Sequence, residues 1–134
     1  YEDISFGWFL FGMIGVCIIS VVVFTSYFTY LDDRSFYDSG FYIKKATIKE
    51  YIDKTKIDGE GELTDLKYRG RMEYLYKLID GLRHDVEQYN QDIIKKRKLN
   101  NNILFSWIII APDEDMKLLD FNGNKYINSL CKKK

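Results

Sequence analysis

The sequence has 134 residues and carries 20 basic and 20 acidic side chains, so its formal net charge at pH 7 is zero. Nucleic-acid binding normally requires a strongly basic face, and nucleic acid is therefore not an expected partner. The length allows one small folded region beside any membrane-spanning segment.

The longest apolar stretch, Ile4–Leu31, contains no charged residue and is bracketed by acidic side chains. At about 1.5 Å per residue, a helix of this length reaches roughly 42 Å, which exceeds the bilayer hydrocarbon thickness of about 30 Å. Trp8 lies near one end, and Tyr27 and Tyr30 lie near the other, where aromatic side chains favour the headgroup region. These features predict a transmembrane helix.

Two alternatives for this stretch are a buried helix of a soluble domain and a secretory signal peptide. The rest of the chain supplies little that could enclose so apolar a helix. A signal peptide has a basic leading region and a short apolar core, whereas Glu2 and Asp3 precede this long stretch. The sequence therefore favours a retained single span.

Three glycines, Gly7, Gly12 and Gly15, cluster in the first half of the span. Small residues allow neighbouring membrane helices to approach closely, so these positions predict a helix-docking surface within the bilayer. The alternative is that they are ordinary glycines of a lipid-facing helix.

The basic residues near the span follow it and include Arg34, Lys44, Lys45 and Lys49. The positive-inside tendency places the long C-terminal region in the cytoplasm or the mitochondrial matrix. A leader cleaved ahead of Tyr1 would suit an imported organellar protein.

The segment between the span and the next strong signal, residues 32–62, combines turn and helix propensities. A turn-prone stretch ends at Gly40, and Phe41–Ile57 then fits one face of a helix, although its first residues could also form a strand. Helix is favoured because Lys and Glu are frequent there. Gly59 and Gly61 predict a loop.

Residues 63–99 contain the strongest pattern outside the span, an amphipathic helix from Leu66 to Lys98. Its apolar residues alternate at spacings of four and three, which is typical of a coiled-coil seam. We call the following eight residues the heptad seam: Tyr68, Met72, Leu75, Ile79, Leu82, Val86, Tyr89 and Ile93. The seam would pack either on the preceding helix of the same chain or on a partner chain.

The heptad helix ends in four consecutive basic residues, Lys95, Lys96, Arg97 and Lys98. One interpretation is contact with anionic lipid. The favoured alternative is that these cations complement the negative end of the helix dipole, with Asn100 ending the helix.

The final segment, residues 100–134, begins with an apolar run, Ile103–Ala111, that is too short to cross a bilayer. It fits either a buried strand or an interfacial segment with Trp107 at headgroup level. Pro112 then predicts the start of a short helix that stops at Asn122–Gly123. The remaining residues are expected to form a basic tail.

Residues for catalysis or metal binding are sparse. His84 is the single histidine, and no cysteine lies at ligand spacing from it, so neither a metal site nor a cofactor is expected. The acidic run Asp113–Asp115 could bind a divalent cation, but a helix N-terminus explains it more simply. Cys17 lies within the span and Cys131 in the distal tail, so a bridge between them is not expected. The chain is therefore not predicted to be an enzyme.

The predicted fold class is mainly α: an N-terminal flank at residues 1–3, a transmembrane helix at 4–31, and a small helical region that contains the heptad helix. The uncharged span, its aromatic ends and the amphipathic helix resemble the small single-span accessory subunits of mitochondrial respiratory complexes, such as complex I, cytochrome c oxidase or the ATP synthase. This resemblance is one of architecture.

The resemblance implies a location in the mitochondrial inner membrane, other membrane-protein subunits as partners, and a role in stabilising assembly. The alternative is a membrane-tethered coiled-coil adaptor, as in bacterial division or secretion machinery. In that case the heptad seam would pair outside the membrane, and the span would serve mainly as an anchor.

Overall fold

The computed structural model describes residues 2–58 and 65–131, with side chains for 6–55 and 68–129, and these parts of the chain are mainly helical without strands. The elements in chain order are α1 (Glu2–Ser35), a π-helical turn (Phe36–Gly40), α2 (Phe41–Asp58), α3 (Asp65–Asn100) and α4 (Gly123–Cys131). The predicted mainly helical class is thus confirmed. The loop predicted around Gly59 and Gly61 lies outside the described residues.

The chain divides into two compact units. The first combines the described residues through Arg34 with Asp92–Met116. The second combines Ser35–Gln91 with the described residues from Lys117 onward. Each unit therefore joins segments that are far apart in the sequence.

α1, with 34 residues, is long and apolar enough to cross a membrane, as the sequence predicts. The hydroxyl groups of Ser20, Thr25 and Thr29 each donate a hydrogen bond to the carbonyl four residues earlier, at 2.8, 2.8 and 3.0 Å. Such bonds are important in lipid, because there is no water in the hydrocarbon region to satisfy a free hydroxyl. These three polar side chains are therefore satisfied by the helix itself.

The turn predicted before α2 is wrong, because the backbone stays helical there. The π-helical turn is closed by the amide of Phe41, which donates to the carbonyl of Phe36. The rings of Phe36 and Tyr37 pack against the ring of Tyr89, with centroid distances of 5.7 and 6.1 Å. This packing of aromatic side chains on α3 is a tertiary contact. It cannot be predicted from the turn propensities of the residues in the segment itself.

Packing of α2 on α3 forms the core of the second unit. The buried core residues are Phe41, Ile48 and Ile52 from α2, with Leu75, Ile79, Leu82 and Val86 from α3. Each fully buried aliphatic side chain contributes about 1.5–3 kcal/mol through removal of apolar surface from water. The helix predicted for this part of the chain is therefore observed, and the strand alternative is wrong.

Residues 101–122 contain turns but neither helix nor strand, which removes the strand alternative for the first apolar run and corrects the prediction of a helix after it. Ile103–Ala111 is not a strand, and no helix begins at Pro112. After Pro112, the side-chain amide of Asn90 donates to the carbonyl of Leu119 and accepts from the amide of Leu119, both at 2.8 Å. Because the amide of Leu119 is used in this way, a helix that began at Pro112 could not extend through Leu119.

α4 begins at the Asn122–Gly123 pair, where the sequence predicts a stop. The Oδ1 atom of Asn122 accepts a hydrogen bond from the amide of Asn124 at 3.2 Å. Asn is among the preferred N-cap residues, because its side chain satisfies an amide that the first helical turn leaves unpaired. The segment predicted to be a tail is consequently helical from Gly123 through Cys131.

Candidate functional site

The surface of α1 is open along the first half of the predicted span, where Phe6, Phe9, Phe11 and Val16 are exposed. None of its most apolar stretch is buried within the described part of the chain. A Cβ atom placed on Gly7, Gly12 or Gly15 would meet no other atom within 4 Å. The predicted helix-docking surface is therefore unobstructed, and an approaching helix could reach the α1 backbone along it.

The heptad seam occupies a different environment. Six of its residues are buried within the chain: Leu75, Ile79, Leu82, Val86, Tyr89 and Ile93. Four of these belong to the core shared with α2. Met72 is half-buried, and Tyr68 is exposed. A partner chain could contact the six buried residues only after their present neighbours were displaced. Packing within the same chain, one of the two predicted alternatives, therefore describes their environment in this structure, and pairing of the seam with a partner stays a prediction.

The four basic residues at the end of α3 have two kinds of environment. Lys96 forms an ion pair with Asp33, and both side chains are almost completely buried. Arg97 donates a hydrogen bond to the carbonyl of Met116 at 2.5 Å. Lys95 and Lys98 are exposed. Contact with anionic lipid therefore remains open to Lys95 and Lys98, whereas Lys96 is committed to a contact within the first unit.

Burial of Asp33 changes its titration. Removal of the carboxylate from water raises the pKa of Asp33, while the hydrogen bond from Lys96 acts in the opposite direction and only partly compensates. An ion pair in this environment stabilises a fold mainly as long as it stays intact, because a single buried charge without its partner is strongly unfavourable.

The acidic run at residues 113–115 does not start a helix, so the simpler explanation predicted for it is wrong. Instead, Asp113 and Asp115 bind Arg34, with N–O distances of 3.1 and 2.9 Å. The hydroxyl of Tyr30 also donates a hydrogen bond to Asp113 at 2.7 Å. We call these four side chains the Arg34 cluster. It attaches the irregular segment after α3 to the C-terminal end of the predicted span.

The Arg34 cluster and the Lys96–Asp33 pair are not evident from sequence spacing. Their members lie between 63 and 83 residues apart in the chain. The opposite charges of Arg34 and Asp113–Asp115 are only a weak indication that these residues pair, because the sequence contains many other oppositely charged residues. The tertiary structure determines which of the charged residues form ion pairs.

Other reactive side chains are isolated in the described ranges. His84 is exposed on α3, and Cys17 is a free, exposed thiol on α1. Across residues 2–58 and 65–131, no group of three or more His, Cys, Asp or Glu side chains is arranged to hold a metal ion. The contacts described above for the charged and apolar side chains are ion pairs, hydrogen bonds and apolar packing.

Comparisons of the chain with protein-family models, with curated proteins and with solved structures found no match.

Proposed function

We propose that this protein is a non-catalytic, membrane-anchored accessory subunit that stabilises a larger membrane complex. The observation that carries the proposal is the open glycine surface of α1, where Gly7, Gly12 and Gly15 leave the helix backbone accessible. A helix that crosses a bilayer gains stability from close packing with another helix, and small residues permit that packing. The proposed partners are therefore helices of neighbouring subunits.

The proposed complex belongs to the mitochondrial respiratory chain, with the protein in the inner membrane. The architecture supports this assignment: an uncharged helix with aromatic side chains at both ends, followed by a small helical unit. The excess of basic residues after the span supports an orientation with the C-terminal region in the matrix.

The exposed Lys95 and Lys98 support a further contact with anionic lipid headgroups on the side of the membrane where α3 ends. Each lysine near an anionic membrane surface contributes about 1 kcal/mol to the attraction. This contact would add to the anchoring that α1 provides.

The coiled-coil adaptor is less well supported. That function requires a seam that is accessible to a second chain, whereas six of the eight seam residues are buried within the chain. Pairing through it would require α2 to leave the α3 surface, with loss of the core contacts described above.

The test is native electrophoresis of the detergent-solubilised membranes with mass spectrometry of the band that contains this protein. We expect co-migration with respiratory-chain subunits. A dimer of this chain alone would contradict the proposal.

A matched pair of variants identifies the surface involved. Gly12→Leu places a large side chain on the glycine surface, and we expect it to lower the amount of protein recovered in the complex. Met13→Leu changes the next residue, which lies on a different side of α1, and we expect full recovery. Equal recovery of both variants would mean that the glycine surface does not dock a helix.

A further inference from the structure

The end of α3 approaches the apolar part of α1. Lys96 binds Asp33, which lies beyond the predicted span. Leu99, about one helical turn later, lines a cavity of about 370 Å³ together with Val21 and Val22, which lie well inside the span. The last turns of α3, from Asp92 onward, therefore lie beside the C-terminal half of α1, and Asp92, Lys95 and Lys96 line the same cavity as Leu99.

The chain then returns along α1 in the opposite direction. The amide of Ile110 donates a hydrogen bond to the Oγ atom of Ser26 at 3.0 Å. Asp113 then accepts a hydrogen bond from Tyr30, one turn farther toward the charged end. The residues between Leu99 and Ile110 therefore form a loop whose two ends lie beside α1: Leu99 and Ile109 line the cavity with Val21 and Val22, and Ile110 binds Ser26.

The depth of this loop follows from helix geometry. The distance along α1 from Trp8 to Ser26 is about 27 Å at about 1.5 Å per residue. The hydrocarbon region is about 30 Å thick, and Trp favours its boundary. With Trp8 at one boundary, Ser26 lies close to the other, and the loop reaches the acyl chains there.

The side chains of the loop suit such a position. Four large apolar side chains are exposed, with exposed fractions of 89% for Ile103, 70% for Leu104, 41% for Phe105 and 65% for Trp107. An apolar patch of this kind on a protein surface marks a contact with a membrane or another protein. The patch belongs to the same compact unit as the exposed apolar part of α1.

The backbone of the loop is also prepared for an environment with little water. An unsatisfied amide in lipid costs several kcal/mol. The structure provides hydrogen-bond acceptors within the first unit for the amides of Asn101, Asn102, Leu104, Phe105, Ser106, Ile108, Ile109 and Ile110. Desolvation of the loop therefore costs much less than it would for an open chain.

We propose that residues 101–110 insert into the phospholipid leaflet at the C-terminal end of the span, so that the protein contacts the bilayer through this loop as well as through α1. The occupant of the apolar patch is the outer part of the acyl chains. Lys95, which lines the same cavity as Leu99, and the exposed Lys98 are near the base of the loop, where lipid phosphates would complement their charge.

The inference rests on α1 spanning a bilayer, which is part of the proposed function. The experiment uses the full chain reconstituted into vesicles of phosphatidylcholine and phosphatidylglycerol. The protein has two tryptophans. Trp8→Phe leaves Trp107 as the reporter of the loop, and Trp107→Phe leaves Trp8 as the reporter of the span.

Quenching by phospholipids brominated at different depths locates each reporter. For the Trp8→Phe protein, we expect a blue-shifted emission of Trp107 and loss of most of its fluorescence with bromines at shallow acyl positions. Emission typical of tryptophan in water, with strong quenching by aqueous acrylamide and none by brominated lipid, would overturn the inference. Protection from both quenchers would also overturn it, because a second copy of the chain would then cover the patch.

The Trp107→Phe protein separates this result from failure of the proposed function. Quenching of Trp8 by brominated lipid means that α1 is in the bilayer, so a water-exposed Trp107 then contradicts loop insertion alone. If Trp8 is not quenched and the protein does not remain with the vesicles, α1 does not span, and both the anchor function and loop insertion are rejected.

Discussion

The ammonium group of Lys96 and the carboxylate of Asp33 form an ion pair whose side chains are only 12% and 11% exposed. The two residues are 63 positions apart in the chain. The pair joins the end of α3 to α1 within the first unit. Because both charges are removed from water, substitution of either residue is expected to lower the stability of this unit.

Lys96→Ala is expected to destabilise the protein strongly, because it leaves Asp33 as a buried charge without its partner. Removal of one member of a buried pair typically costs about 3–5 kcal/mol. Thermal unfolding in detergent micelles, followed by circular dichroism, measures the effect. Lys98→Ala removes an exposed charge two residues away and serves as the control. Equal melting temperatures for the two variants would show that the pair does not stabilise the fold.

The raised pKa of Asp33 predicts a particular dependence of stability on pH. The folded state binds the proton more tightly than the unfolded state, so the stabilisation from this group is complete below the unfolded-state pKa. It is lost as the pH rises through the folded-state pKa. We expect the wild-type protein to lose stability relative to Asp33→Asn as the pH increases from about 4, near the ordinary pKa of Asp.

Unfolding by denaturant at a series of pH values tests this dependence. Asp32→Asn changes an exposed neighbouring carboxylate and provides the control. A difference between wild type and Asp33→Asn that stays constant over pH, or that grows in favour of the wild type, would contradict the assigned shift.

Gly123→Ala is expected to destabilise the second unit. A Cβ atom at Gly123 would lie 2.5 Å from the Cγ2 atom of Ile79, which is buried in the core, so α4 or α3 must move. Overpacking of this kind typically costs about 1–3 kcal/mol. Gly81→Ala is the matched change at a position with open space. It should instead stabilise α3 by up to about 1 kcal/mol, because Ala has the higher helix propensity.

Hydrogen exchange of the amides in α2 and α3 distinguishes the two glycine variants. Gly123→Ala should accelerate exchange across the core of the second unit, and Gly81→Ala should slow it. If Gly123→Ala does not accelerate hydrogen exchange in α2 and α3, then α4 does not pack closely on Ile79.

Leu75→Ala tests the assignment of the heptad seam to the core. Leu75 is fully buried, and the cavity left by the change should cost about 2–5 kcal/mol. Leu118→Ala makes the same change at a side chain that is 50% exposed and should cost much less. If Leu75→Ala left stability intact but lowered recovery in a complex, the seam would act as an interface between chains.

The long apolar helix and the heptad helix could be predicted from the sequence because their signals are local. An uncharged run from Ile4 to Leu31 needs a helix to satisfy its backbone in lipid, whatever lies beside it. The alternation of apolar residues along α3 likewise defines one buried face without any knowledge of the partner. The structure then shows that α2 covers the part of this face from Leu75 to Val86.

The failed predictions share a physical cause, which is competition between local propensity and tertiary contacts. Pro112 favours a helix start, but Asn90 engages the backbone of Leu119. Asn122 and Gly123 favour a helix end, yet in the structure Asn122 caps the start of α4. An Asn side chain satisfies backbone groups at a turn, a helix start or a distant segment, and only its neighbours in space select one.

The sequence by itself therefore determined that the protein is mainly helical and has one helix able to cross a membrane. These properties depend on the length of apolar runs and on their period. The tertiary structure alone decided that Lys96 faces Asp33, that Arg34 binds the acidic residues after Pro112, and that the 101–110 loop lies beside α1. Those contacts depend on where segments that are distant in the sequence meet. Many oppositely charged residues could form pairs, and the tertiary structure determines which of them lie close enough to do so.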